Sequence, residues 1–158
     1  MSRSVTHDTV VLRRALKSPP KRVFRAWADE AEFVAWNVPG DEHWRVESKV
    51  HDFRNGGRRL ATFSGPGKSP QYTEDCRYED IVPDKRICYA MTISRDGVHI
   101  TTSMVTIEIL GSQQSGTELI VTDQIAILDG AETPADRGRG WGESLDKLVR
   151  ALSAAPVN

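Results

Sequence analysis

The sequence predicts an α+β domain: a first strand, two short helices, then a long antiparallel sheet curved around a carboxy-terminal helix. Three observations carry this. Period-two alternation of apolar and polar residues recurs, in segments separated by turn signals, from His43 to Leu128. A helical apolar stripe runs from Trp141 to Leu152. Nowhere do strands and helices alternate as a parallel sheet requires. At 158 residues the chain fits one domain, 1–158.

The elements follow in order. Val10 to Leu16 is apolar, begins with β-branched residues and reads as a strand. Ser18-Pro19-Pro20 ends it, and Pro20 suits the first turn of a helix. Lys21 to Ala28 carries Val23, Phe24 and Trp27 at helical spacing. A second short helix is predicted from Ala31 to Trp36, with Phe33 and Trp36 inward, until Val38-Pro39-Gly40 breaks it. Trp44, Val46 and Val50 then mark a strand ending near Arg54. Asn55-Gly56-Gly57 supplies a turn with positive φ, and Arg59 to Ser64 returns. Gly65-Pro66-Gly67 closes that hairpin.

Gln71 to Val82 and Arg86 to Ile93 are the next two strands. If Val82 pairs with Lys85, Cys76 lies opposite Met91 and Cys88 opposite Glu79. Arg95-Asp96-Gly97 reads as a three-residue loop with Gly97 left-handed. That loop puts Ile93 opposite His99, Met91 opposite Thr101, Tyr89 opposite Ser103 and Ile87 opposite Val105. A slip of one residue would expose the apolar set Val105, Ile107 and Ile109. After Gly111 to Gly116, the strand Thr117 to Leu128 turns Leu119, Val121, Ile125 and Ile127 inward. Asp123 shares their parity, which is unusual for a carboxylate. Thr133-Pro134 opens the last helix, whose stripe is Trp141, Leu145, Leu148, Val149 and Leu152. Ala154-Ala155-Pro156 ends it.

Composition narrows the function classes. The formal net charge is −1, and no basic stripe supports nucleic-acid binding. No apolar run approaches the roughly 18 residues of a membrane span. Met1 to Thr9 lacks the apolar stretch of a signal peptide, so a cytoplasmic protein is expected. On the pairing above, Cys76 and Cys88 point to opposite faces and stay reduced. His7, His43, His51 and His99 are isolated, without metal-ligand spacing. Neither metal nor cofactor is implied.

Several pieces together resemble a known family. They are Arg14, Leu16 and Ser18-Pro19-Pro20 with Val23-Phe24 and Ala26-Trp27; Trp36 with Pro39; Asp52-Phe53-Arg54-Asn55-Gly56-Gly57; and Gly65-Pro66. Tyr78 with Ile81-Val82-Pro83, Gly116-Thr117-Glu118-Leu119, and Gly140-Trp141 with Leu145-Asp146 and Leu148 complete the set. In this order they resemble the bacterial relatives of the carboxy-terminal domain of the activator of heat-shock protein 90 ATPase. That family lies within the START, or SRPBCC, superfamily. The resemblance spans roughly Val10 to Leu152 and implies the helix-grip fold. The chain departs from the pattern at Asn37, where a second tryptophan is common, at Cys76 (often glycine) and at Asp80 (often glutamate). The eukaryotic co-chaperone's separate amino-terminal domain finds no room in this length.

A strongly curved sheet cannot close on one helix without leaving space. The register lines that space with Tyr89, Met91, His99, Thr101, Ser103 and Asp123: an apolar pocket with a polar strip, as small-molecule sites often have. Asp123 reads as a structural carboxylate bound by Ser103 or Thr101 more readily than as a general base. Asp52 to Gly57 reads as a hairpin turn; it precedes a strand, so it is no phosphate loop. Phe24, Trp27, Phe33 and Trp36 read as core. Arg137-Gly138-Arg139-Gly140 reads as a solvated basic loop. Ser103 and Ser144 lack any nucleophile-elbow context.

The function expected first is non-catalytic binding of a small apolar, aromatic or lipid-like molecule. The superfamily resemblance leaves two alternatives. One is a cyclase- or aromatase-like enzyme using His99, Asp123 and Tyr89. The other is a chaperone-associated interaction module. The assembly state stays open between monomer and homodimer.

Overall fold

The computed structural model describes residues 3–154. The elements are β1 (Val5–Leu16), α1 (Pro20–Ala28), α2 (Glu30–Trp36), β2 (Arg45–His51) and β3 (Arg58–Ser64). Then come β4 (Gln71–Val82), β5 (Arg86–Arg95), β6 (Val98–Ser112), β7 (Gly116–Leu128) and α3 (Pro134–Ala154). The strands form one seven-stranded antiparallel sheet in the order β1-β7-β6-β5-β4-β3-β2. Six strands thus meander, and β1 joins beside the last of them. The α+β architecture is the one predicted.

Local chemistry explains most boundaries. Pro20 occupies the first turn of α1, where its missing N–H costs nothing. Asp29 ends α1 and caps α2, its Oδ1 accepting the Glu32 N–H at 2.9 Å. Thr133 and Asp136 cap α3 reciprocally: Asp136 N–H donates to Thr133 Oγ1 (3.1 Å), and Thr133 N–H to Asp136 Oδ2 (3.0 Å). β1 starts earlier than predicted because β7 pairs with it along its whole length, from Val5 opposite Leu128 to Leu16 opposite Thr117. The polar residues Thr6, Asp8 and Thr9 give no strand signal of their own; the ladder recruits them.

The core lies between the concave face of the sheet and the helices. Ile87, Val105, Ile107, Leu119 and Val121 are fully buried, as are Leu145 and Leu148 on α3. Trp27 stands edge-on to Trp36 at 4.6 Å and reaches Trp141 at 6.5 Å. Trp141, Leu145, Leu148 and Leu152 are buried as the helical stripe predicted. Glycines bring α3 close to β1: a Cβ on Gly138 would lie 3.6 Å from Val10 Cγ1, and one on Gly142 3.8 Å from Leu12 Cδ2.

Three local expectations need correction. A bulge between Tyr78 and Asp80 shifts the β4–β5 register near the turn, so Val82 faces Arg86 and Cys88 faces Asp80. Cys76 still faces Met91, and both cysteines are free thiols. The β5–β6 turn has two residues, not three. Asp96 (φ 49°) and Gly97 (φ 81°) both take positive φ, as a type I′ turn requires. A bulge at Ile100 then restores parity, placing Met91 opposite Ser103 and Tyr89 opposite Val105. Tyr89, Met91, Thr101 and Ser103 stay on the buried face with their partners moved along by two, whereas His99, expected there, is exposed. Third, Arg137-Gly138-Arg139-Gly140 is no loop; it forms the first turns of α3, and Arg137 is buried.

Candidate ligand-binding site

A cavity of about 400 Å³ opens between the sheet and the amino-terminal half of α3. Its floor is built from cross-strand rows. Phe63, Tyr72 and Arg95 form one row, Glu74 and Ile93 the next, and Met91 lies one row deeper. Tyr89 lines the inner end. Trp141, Ser144 and Gly140 of α3 make the roof. The α2–β2 connection adds a lip of Asn37, Pro39, Gly40 and Trp44. Trp44 meets Tyr72 with ring centroids 6.0 Å apart. Two glycines let the indole in: a Cβ on Gly40 would lie 2.5 Å from Trp44 Cδ1, and one on Gly65 2.8 Å from Trp44 Cζ2.

The lip is fastened to α3. Lys147 Nζ donates to the carbonyls of Val38 (2.5 Å) and Gly40 (2.7 Å), and Glu143 Oε2 accepts the Gly40 N–H at 3.1 Å. Burial holds the Lys147 pKa below its usual value.

Two buried ion pairs flank the cavity. In the first, Arg137 Nη1 donates to Asp123 Oδ2 (2.9 Å) and Ser103 Oγ (3.2 Å), and Nη2 to Thr101 Oγ1 (2.8 Å). Its Nε reaches Glu132 Oε1 at 3.0 Å, and Trp141 Nε1 also donates to Asp123 Oδ2, at 3.0 Å. Burial pushes the Glu132 carboxyl up, with Arg137 opposing the shift. In the second, Arg59 Nη1 donates to Glu74 Oε1 at 2.7 Å. Its guanidinium lies over the rings of Phe33 (4.7 Å) and Tyr89 (5.3 Å). Burial raises the Tyr89 phenol well above its ordinary value, against the pull of Arg59, so the hydroxyl stays protonated. Burial likewise pushes the Cys76 thiol up to about 12, again opposed by Arg59.

The six residues singled out from the sequence separate into three groups. Tyr89 and Met91 line the cavity. Thr101, Ser103 and Asp123 come together beneath Arg137, which lies between them and the space. Asp123 is fully buried and its Oδ1 has no partner among the described residues. His99 is exposed, its Nε2 within 2.9 Å of Thr101 O and Thr102 Oγ1; the Ile100 bulge turns it out of the pocket. Of the departures from the family pattern, Asn37 lines the cavity and donates to Glu74 Oε1 at 3.5 Å. Cys76 is buried beside Met91 but does not line the cavity, and Asp80 pairs with Arg86 (2.6 Å) away from the site. No group of three or more metal-ligating side chains occurs among the described residues, and no described helix is long and apolar enough to cross a membrane.

Sequence reasoning missed Arg59, Glu74, Arg95, Glu132 and Arg137. A signal existed for Arg137. It stands four residues before Trp141 on the apolar stripe, just as Asp123 stands among apolar neighbours on β7. Two opposite charges on facing apolar surfaces should meet, since burying either alone is costly.

The family model described as "Activator of Hsp90 ATPase homolog 1-like protein" matches residues 17–153. The chain belongs to this family. Solved structures agree with that membership. A protein of Rhizobium leguminosarum is 31% identical, with a TM-score of 0.88 over 98% of this chain and 100% of its own. The Mll3558 protein of Rhizobium loti is 35% identical, with a TM-score of 0.81 over 93% of this chain and 98% of its own. An AHSA1-like protein of Aeromonas hydrophila, 21% identical, shares the fold with a TM-score of 0.72 over 93% of each chain. No curated protein matches the chain. Proteins of this fold commonly bind ligands in a cavity, and this chain has an open space of about 400 Å³ under α3.

Proposed function

We propose that this protein binds a small apolar or aromatic, lipid-like molecule in the cleft under α3 without catalysing a reaction on it. The observation that carries the proposal is the cleft's construction. Its volume of about 400 Å³ falls in the range of small-molecule sites. Phe63, Tyr72, Tyr89, Met91, Ile93, Trp44 and Trp141 give it apolar walls, and a few polar groups, Glu74, Arg95 and Arg137 among them, stand in the lining. The acid–base candidate Asp123 lies outside the lining and is tied to Arg137 and Trp141. That favours binding over a cyclase-like reaction.

Gly140 offers a direct test. It lines the cavity, and a Cβ added there would meet nothing within 4 Å. Gly140→Phe should therefore fill the space without straining the helix, which gains by losing a glycine. The neutral fluorophore N-phenyl-1-naphthylamine should bind the parent saturably at one site. Gly140→Phe should keep the parent's unfolding midpoint or raise it, and lose that binding. A folded Gly140→Phe that binds the fluorophore like the parent would move the ligand site elsewhere.

A further inference from the structure

We infer that the ligand of this cleft is a carboxylic acid whose carboxylate is held by Arg95; the inference rests on the binding role proposed above. Among the described residues, Arg45, Arg95 and Arg150 are the arginines with no carboxylate within 4.0 Å. Arg45 and Arg150 are exposed at the surface. Arg95 is half-buried and lines the cavity. Its hydrogen bond from Nη1 to the Ala131 carbonyl, at 3.1 Å, fixes the guanidinium at the mouth, and its Nε and Nη2 donors have no partner among the described residues.

The acids around the cavity are already engaged. Asp123 and Glu132 share Arg137, Glu74 holds Arg59, and Asp136 pairs with Arg139 at 2.7 Å. A ligand amine would have to compete with an arginine at each of them. A ligand carboxylate would meet a guanidinium with donors to spare, in a setting partly shielded from water, where such pairs gain strength.

The sheet also sets the shape of the acid. Arg95 and Tyr72 are direct cross-strand partners, so the charge anchor and an aromatic face stand side by side. Met91 lies four residues back along β5, about 13 Å at strand rise. An apolar body of that reach, a fused aromatic or a medium-length chain, would run over Tyr72 and Ile93 toward Met91 with its acid at Arg95.

The test uses matched probes. Displacement of N-phenyl-1-naphthylamine would be followed with 1-naphthylacetic acid, 1-naphthylacetamide and 1-naphthylmethylamine. Binding of the neutral fluorophore itself reports on the cleft as an apolar site; the order among competitors reports on the acid. The parent should bind the acid roughly tenfold more tightly than the amide, the amine most weakly, with the preference shrinking as salt rises. Arg95→Gln, which keeps a donor for Ala131, and Arg95→Met should both retain fluorophore binding and bring acid and amide to equal affinity. A parent that binds amide or amine as well as acid overturns the inference, as does a folded Arg95 variant that still prefers the acid. Loss of fluorophore binding in the parent would instead overturn the binding role.

Discussion

At the scale of single residues, the buried pair Asp123–Arg137 sets the hardest constraint. Arg137 spends four of its donor contacts on Asp123, Ser103, Thr101 and Glu132. Removing it strands a fully buried carboxylate. Arg137→Met should therefore cost about 3–5 kcal/mol, while Asp123→Leu combined with Arg137→Met should recover most of that loss. Urea unfolding of the two single variants, the double variant and the parent closes the cycle. Additive losses would mean that the two side chains do not depend on each other. The partner of Asp123 was half legible in the sequence. Parity on β7 put a carboxylate on the apolar face, and Thr101 and Ser103 were read beside it. The arginine that completes the group escaped because Arg137-Gly138-Arg139-Gly140 has the composition of a loop. Its helical state comes from the Thr133–Asp136 cap and from packing on β1, neither of which glycine content reveals. Arg59 and Glu74 escaped because surface strands carry many charges, and only the three-dimensional curvature shows which ones turn inward.

At the scale of elements, the strand order and helix positions were readable, and the joints were not. Period-two patterning fixes which face a residue takes, so Met91, Ser103 and Tyr89 stayed inward although their partners moved by two. Bulges at Glu79 and Ile100 cannot be read from patterning, because each adds one residue and leaves the alternation on either side intact. The loop Asp52 to Gly57 shows how such a bulge is used. Gly56 N–H donates to Tyr78 O (2.8 Å), Tyr78 N–H to Gly57 O (2.9 Å), and Ile81 N–H to Asn55 Oδ1 (2.7 Å). The turn docks on β4 where the ladder to β5 is interrupted. Its two glycines serve different ends. Gly56 takes φ 79° with open space around it; Gly57 has ordinary φ, but a Cβ there would lie 2.0 Å from the Asp52 carbonyl oxygen. Gly57→Ala should thus destabilise by more than about 2 kcal/mol, and Gly56→Asn by less than about 1, since asparagine tolerates the left-handed region. Thermal and urea unfolding of the two variants would decide it; equal losses would show that turn conformation, not docking space, controls the loop.

At the scale of the whole molecule, the domain divides into a packed half and an open half along α3. Leu145, Leu148 and Leu152 seal the helix onto Ile87, Val105, Leu119 and Val121, while the earlier turns of α3, rich in glycine, span the cavity. The α2–β2 lip belongs to neither half by packing. It is tied to α3 through Lys147 and Glu143, polar contacts at a half-exposed site. Stability and ligand retention should therefore respond to different residues. Leu148→Ala opens a void in the sealed half and should cost about 2–5 kcal/mol. With no contact to the cavity, it should leave the affinity for N-phenyl-1-naphthylamine unchanged wherever the variant is folded. Lys147→Met keeps the aliphatic stem but frees the Val38 and Gly40 carbonyls. Those carbonyls can turn to water, so the stability cost should stay near 1 kcal/mol. Trp44 rides on the same lip, packed against Gly40, so loosening it should let the probe leave severalfold faster. Urea unfolding and stopped-flow displacement on the two variants separate these effects. If Lys147→Met loses as much stability as Leu148→Ala and releases the probe at the parent's rate, the lip is an extension of the core and the mouth of the cleft lies elsewhere.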